Sequence, residues 1–308
     1  MSLEAGYVYE LTIAREVSPY GYFVTDGAEE VLLAYAETDK VKGKKPGEKL
    51  QVFLFYDTED RLAATQKTPL IRMGEVALLE VVEIHPRFGT FLDMGLGRHL
   101  LLPFKEQPEF KDLRPVPGDK VFVTLAHDRQ GRLIAKLAGE DELAPLTFHA
   151  PSAWMNQWLD VRVYKALQMG SFAVVDGGVL GFGVIGMIHA SERTHPLRVG
   201  ETAKARVVYI REDGRVNLSM RQSKHVGREE DADKILAFLR SRPQFSMPYS
   251  DSTSADVVLA KFGMSKGAFK RALGKLMKEG LISQKENWTY LQESAAGSAS
   301  EPADDGQA

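Results

Sequence analysis

The chain repeats itself, and no other feature restricts its fold as much. An aromatic–Gly–x–Phe element stands at Tyr20-Gly21-Tyr22-Phe23 and again at Phe88-Gly89-Thr90-Phe91, and it returns as Met169-Gly170-Ser171-Phe172 with methionine in the first place. A turn follows each copy at a similar distance: Pro46-Gly47-Glu48, Pro117-Gly118-Asp119 and Val199-Gly200-Glu201. Further on, Arg61, Arg132 and Arg215 each lead into another short apolar run. The segments between these marks, such as 76–84, 121–125 and 205–210, are short, rich in β-branched residues and bounded by Gly and Pro. Those are strand signals. Each unit is therefore roughly 70 residues long and carries about five short strands.

Five strands of that length bury a core by closing on themselves, and a small barrel leaves no exposed edge. A glycine inside a strand suits the sharp bend at a barrel corner. The bend brings the residue before the glycine close to the Phe two places after it, making a platform on which unpaired bases can stack. The fold class expected is mainly β: three tandem five-stranded OB barrels followed by an α+β winged-helix domain. Barrels are expected over 1–70, 71–140 and 150–226, the winged helix over 227–292, and a disordered Ala/Ser/Gly/acid tail over 293–308.

That organisation agrees with a length of 308 residues, too long for one core. There is no cysteine, which excludes disulfide scaffolds and cysteine-ligated metal sites and fits a reducing compartment. Glu4 and Glu10 near the start, with no basic or apolar leader, lead to an expectation of a cytoplasmic protein without a membrane partner. The net charge is only −3, but it is unevenly spread: −4 over 1–71, +1 over 72–139, +4 over 153–225, +3 over 228–292 and −4 over 293–308. A polyanion would find its electrostatic footprint in the C-terminal half.

Residues 228–292 change period. Ile235, Leu236 and Leu239 share one side of a helix over 232–240, a second helix fits 255–262, and Ser265 is placed to cap a third that ends at Gly280. Two short strands, 281–283 and 288–291, joined through Lys285-Glu286-Asn287, complete the winged-helix plan. On the third helix Phe269, Ala272, Leu273 and Leu276 share the apolar side. Arg271, Lys275 and Lys278 form a basic row on the other, with Lys270 at its edge. That row is read as unpaired with acids and therefore available to phosphates.

The third repeat, 161–222, resembles the S1 RNA-binding domain, a subclass of the OB fold. The resemblance rests on Met169-Gly170-Ser171-Phe172, Met187-Ile188-His189-Ala190-Ser191-Glu192, Val199-Gly200-Glu201 and Gly214-Arg215-Val216-Asn217-Leu218-Ser219. Three barrels ahead of a winged helix, together with Gly263-Met264-Ser265-Lys266 and Phe269-Lys270-Arg271-Ala272-Leu273-Gly274, resemble the conserved virulence factor B family of bacterial RNA-binding proteins. The S1 resemblance implies an RNA site made of two aromatics, a His closing the third strand, and an acid plus Arg before the last. In the third copy it points to Phe172, His189 and Arg215, with Met169 in the first aromatic place and Arg211 where the acid belongs. In the second it points to Phe88, Phe91, Asp128 and Arg132, with Pro103 in the His place. In the first it points to Tyr20, Phe23, Asp57 and Arg61, with Ala34 there. Two readings of the first two copies stand: they extend an RNA site, or they are spacers that keep the fold.

Other motifs lead nowhere by their context. Gly181-Phe182-Gly183-Val184-Ile185-Gly186 satisfies the dinucleotide fingerprint, but a strand and not a helix is expected after it. His189 and His195 lack a third ligand at metal spacing. Trp154 and Trp158 are read as packing between barrels. No nucleophile–base set and no paired carboxylates are visible, so neither catalysis nor a cofactor is expected. The expected function is binding of single-stranded RNA by the third barrel and the winged helix, with broad base preference, in post-transcriptional regulation. A winged-helix DNA regulator and a protein-binding adaptor of the ribosome or the RNA-decay machinery are the rivals.

Overall fold

Alternating apolar and polar residues along each segment fold as strands with one face turned inward, and three sets of five such strands close into barrels. The computed structural model describes residues 2–38, 43–222 and 224–292, and for 224–228 the backbone alone; the tail expected over 293–308 lies outside the described residues. The first barrel is built from β1 (Val8–Val17), β2 (Gly21–Thr25), β3 (Glu30–Ala34), β4 (Lys49–Tyr56) and β5 (Leu62–Thr65). The second uses β6 (Val76–His85), β7 (Gly89–Asp93), β8 (His99–Pro103), β9 (Lys120–His127) and β10 (Leu133–Leu137). After a short helix α1 (Glu140–Leu143), the third uses β11 (Trp158–Leu167), β12 (Gly170–Asp176), β13 (Gly183–His189), β14 (Thr202–Ile210) and β15 (Val216–Ser219). All three close in the same order, with the third and fifth strands parallel and the other neighbours antiparallel. Strand limits run a few residues beyond the apolar segments, because the hydrogen-bonded ladder continues through polar residues that carry no apolar signal.

The repeated glycine sits where two strands cross most closely. Gly21 pairs with Ala34, Gly89 with Pro103 and Gly170 with His189, which places those three partners at equivalent positions. A Cβ on Gly89 would lie 2.2 Å from the Leu102 carbonyl oxygen, at a φ of +145°. Gly21 meets the Leu33 carbonyl at the same 2.2 Å with φ +150°. The third copy is looser: at Gly170 the nearest backbone atom is 2.8 Å away.

The barrels pack through their outer faces. Inside the first lie Leu11, Ile13, Tyr22, Val24, Leu33, Val52, Leu54 and Ala64. The alternate residues Phe53, Phe55 and Ala63 point out and join the apolar cluster of the second barrel. Met73 N–H donates to the Gly6 carbonyl at 2.8 Å, and the Arg98 guanidinium lies 4.8 Å from the Phe55 ring, closing this joint. Between the second and third barrels the core is continuous through Leu113, Leu197 and Val199. Val199 N–H donates to the Leu113 carbonyl at 2.9 Å, and Arg198 grips Asp119 with two hydrogen bonds of 2.9 and 3.1 Å. A second cluster, Phe122, Ala138, Leu143, Tyr164, Val174 and Ile185, seals the same joint. Each buried Phe or Leu there contributes about 1.5–3 kcal/mol.

The described residues fall into two compact units, dividing after Arg221. The second contains α2 (Lys224–Arg240), β16 (Ser246–Met247), α3 (Ala255–Phe262), α4 (Lys266–Lys278), β17 (Ile282–Lys285) and β18 (Trp288–Leu291), with sheet order β16-β18-β17. Ala232, Ile235, Leu239, Phe262, Phe269, Ala272, Leu273, Leu276 and Ile282 form its core, as the helical spacing requires. The Ser265 hydroxyl accepts the Ala268 N–H at 3.2 Å and caps α4. Helix α2 starts at Lys224 and not at 232, since its first turns are polar and show no periodicity. β16 was not foreseen, being two residues long.

Gly89→Ala should lower the unfolding free energy by about 3 kcal/mol, through a backbone clash and a disfavoured φ. Gly170→Ala should cost less than Gly89→Ala. Urea midpoints of the two variants check this; equal losses would show that the close approach does not govern closure.

Candidate nucleic-acid interface

Strand register sets one row of side chains across the whole outer face of the third barrel. Lys165 on β11 pairs with Phe172 on β12, Phe172 with Met187 on β13, Met187 with Asn217 on β15, and Asn217 with Tyr209 on β14. Lys165, Asn217 and Tyr209 are exposed, and Phe172 and Met187 half-buried. The Lys165 ammonium lies 5.8 Å from the Phe172 ring centre, and Phe172 rests at 6.3 Å against Tyr164, whose hydroxyl burial pushes up to about 12. Phe172, Met187, Arg211 and Arg215 line one shallow hollow together with Glu140. His189 closes the strand beyond Met187, exposed, its Nδ1 within 2.9 Å of the Ser191 hydroxyl. Met169, at the first aromatic position, is exposed. Of this row, sequence reasoning singled out Phe172 alone. Lys165, Asn217 and Tyr209 were missed because their adjacency exists only once register is known.

The acid-plus-Arg position works differently in each copy. In the first, Asp57 Oδ1 accepts the N–H groups of Glu59 (2.8 Å) and Arg61 (3.0 Å), while Oδ2 accepts Arg61 Nε (3.0 Å) and Nη2 (2.8 Å). Asp128 does the same for Gln130 and Arg132. Burial pushes both carboxyls up, yet the backbone donors and the neighbouring guanidinium outweigh it and hold them below the ordinary carboxylate range. Each acid thus ties its turn and neutralises its Arg. In the third copy Arg211 occupies the equivalent place, its N–H donating to the Arg215 carbonyl at 2.8 Å. Asp213 then accepts the Arg215 N–H and pairs with Arg211 at 3.1 Å, and Arg215 reaches Glu140 of α1 at 2.7 Å.

In the first two barrels the matching rows are partly covered. The row Arg15, Phe23, Leu32, Ala63, Phe55 ends in two buried residues, and in the row Glu83, Phe91, Leu101, Ile134, Ala126 the buried member is Ile134. Their free aromatics have partners of their own: Phe23 lies 4.2 Å beneath the Arg15 guanidinium, and Phe88 stacks on His85 at 4.4 Å. Tyr20 is exposed at the turn before Gly21. Trp154 packs on Phe148 at 5.8 Å and into the core, whereas Trp158 stands exposed at the start of β11. The Gly-rich 181–186 motif leads into a strand and not a helix, but β13 begins inside it at Gly183, so its second half is strand and not loop.

On α4, Lys270, Arg271 and Lys278 are exposed. Contrary to the expectation of a row unpaired with acids, Lys275 is three-quarters covered and lies 3.7 Å from both Glu229 and Glu279. Glu279 is one helical turn on, and Glu229 arrives from the polar start of α2, which the sequence did not reveal as helix.

Three OB barrels of S1 register and a winged helix define a protein assembled from nucleic-acid-binding domain types. Residues 5–67 match the S1 domain, 77–136 the CvfB first S1-like domain, 145–222 the second domain of virulence regulatory factor CvfB, and 233–291 the CvfB-like winged helix domain. The chain is 38% identical over 290 residues to the uncharacterized protein YitL of Bacillus subtilis, covering 94% of each. It is 32% identical to conserved virulence factor B of Staphylococcus saprophyticus, covering 82% of this chain and 83% of that one. The crystal structure of a multidomain protein with nucleic acid binding domains from Streptococcus pneumoniae, 30% identical, aligns with a TM-score of 0.60 over 94% of this chain and 98% of its own. The chain belongs to the conserved virulence factor B family. Among the described residues, no helix is long and apolar enough to cross a membrane.

Replacing Asp57 and Asp128 together by Asn should lower stability at pH 7 by about 1 kcal/mol for each turn. Because the folded carboxyl pKa values are depressed, the wild-type advantage is full above the ordinary carboxylate value of about 4 and shrinks as pH falls through the lower folded values. Urea unfolding between neutral and acid pH measures it; a gap that stays constant into acid would refute the turn-holding role.

Proposed function

We propose that this protein binds single-stranded RNA along the outer face of the third barrel and acts in post-transcriptional regulation. One observation carries the reading: Lys165, Phe172, Met187, Asn217 and Tyr209 form a row over all five strands in which none is fully buried and three are exposed. Aromatic faces take up bases with little sequence preference, an amide and a cation at the same level suit base edges and phosphate, and Arg211 and Arg215 border the row. His189 extends it. The exposed cations of α4 add phosphate contacts without sequence choice. Family descriptions as a virulence regulatory factor with S1-like domains support a regulatory role. In this reading Arg61, Asp128 and Arg132 tie turns of the first two barrels, which orient the third, while Tyr20, Phe23, Phe88 and Phe91 are weaker stacking positions.

Phe172→Ala with His189→Ala should weaken binding of a single-stranded RNA more than Phe88→Ala with Phe91→Ala, by about 1–3 kcal/mol for each base that loses its stacking partner. Titrations at fixed salt decide; equal losses would mean the barrels contribute alike. Binding should also fall with salt, with a log–log slope of roughly −0.7 for each neutralised phosphate. Changing Lys270, Arg271 and Lys278 to Ala should flatten that slope and leave base preference unchanged. Loss of duplex DNA binding alone in this variant would favour a DNA regulator, and a flat salt profile in the wild type a protein adaptor.

A further inference from the structure

The winged-helix unit carries a feature that the proposed function leaves unused. β17 and β18 are joined by a two-residue turn, with Glu286 at φ 48° and Asn287 at φ 66°, the left-handed pair of a tight hairpin. Alternation along β18 puts Thr289 inside, its hydroxyl donating to the Tyr249 carbonyl at 2.7 Å. Trp288 and Tyr290 therefore face out, 42% and 38% exposed. Their ring centres are 6.5 Å apart and their planes 27° from parallel. The hairpin is held in place: the Ser252 hydroxyl donates to Asn287 Oδ1 at 2.8 Å, and Gln284 Nε2 donates to the Thr289 hydroxyl at 3.2 Å.

What surrounds the rings indicates what they receive. Lys285 lies directly across from Trp288, and Ser246 and Ser283 flank Tyr290 on either side, so all three share the face of the rings. The two serines are too small to cover the aromatic surface. Residues 228–292 as a whole carry a net +3, which favours a polyanion. Two rings rimmed by hydroxyls and a cation present far less than the ~800 Å² per partner of a stable protein interface, whereas one base needs a single ring.

We infer that Trp288 and Tyr290 form a second stacking platform, on the wing, for unpaired bases of RNA, with Lys285 placed to meet the adjoining phosphate. The inference rests on the reading that the chain binds single-stranded RNA and adds a site outside the barrels. Two residues along a strand rise about 6.6 Å, in line with the 6.5 Å between ring centres, which leaves each ring room for a base of its own. Each stacks one base and reads no edge, which adds affinity without adding sequence choice.

The test uses the full chain and a fluorescently labelled oligouridine of about 12 nucleotides, within the range such sites cover. Trp288→Ala with Tyr290→Ala should weaken binding by ~10-fold or more, while Trp288→Phe with Tyr290→Phe keeps most of the affinity. The salt slope should stay at the wild-type value, since no phosphate contact is removed. Intrinsic fluorescence supplies a readout that needs no Ala variant: saturating oligouridine should quench the wild type more than Trp288→Phe. A double-Ala variant that unfolds like the wild type and binds oligouridine equally well, or equal quenching with and without Trp288, overturns the platform while leaving RNA binding standing. Loss of duplex DNA binding alone would assign the rings to a duplex and overturn it too. No oligouridine binding by the wild type would defeat the proposed function itself.

Discussion

The packing of one barrel's outer face on the next governs everything else in the N-terminal unit. A five-stranded barrel has two faces to account for: an inner one that must be apolar to close, and an outer one that either meets solvent or meets a neighbour. On β4 both are buried, with Val52 and Leu54 turned into the first barrel and Phe53 and Phe55 into the cluster of the second. Phe122 plays the same part between the second and third. The side chains spent on these joints are thereby withdrawn from solvent.

The polar contacts at these joints add orientation to the apolar burial. Asp119 is nearly buried and takes both ends of the Arg198 fork, so the charge that packing removes from water is met by a bidentate partner. The Leu113 carbonyl and Val199 N–H join at the same place, and a Cβ at Gly200 would press against Val121 and the Lys120 carbonyl. An apolar contact alone slides; a bidentate ion pair beside a backbone hydrogen bond sets an angle. The third barrel is thereby held with its row of Lys165, Phe172, Met187, Asn217 and Tyr209 turned outward.

The three copies show how one framework changes its exposed polar groups through few residues. The same turn before the last strand is tied by Asp57 or Asp128 in the first two barrels, each consuming its own Arg. In the third, Arg211 replaces the acid, Asp213 takes over the turn, and Glu140 from α1 steadies Arg215. Pro103 and Ala34 stand at the strand end where the third barrel has His189. The copies differ in what they leave accessible more than in how they fold.

Much was legible before any coordinates. The repeated glycine, the turns and the switch of period at about residue 228 are local signals, set by backbone sterics and by which residues must be apolar to close a barrel or pack a helix. Phe269, Ala272, Leu273 and Leu276 could be assigned to a core from spacing alone, and Ser265 to a cap from its chemistry. Individual candidates such as Phe172, His189 and Arg215 were visible because each belongs to a short motif. The neighbours that make them a surface were not. Tyr209 lies far from Phe172 in sequence and joins its row only through three successive strand pairings, with a bulge on β14 setting the last register. Of the two acids beside Lys275, Glu279 stands at i+4 and was open to spacing alone, whereas Glu229 comes from another helix. Residue type and spacing determine which strands and helices form; which faces remain open, and which charges find a partner, depends on long-range register and packing, and only the tertiary structure decided them.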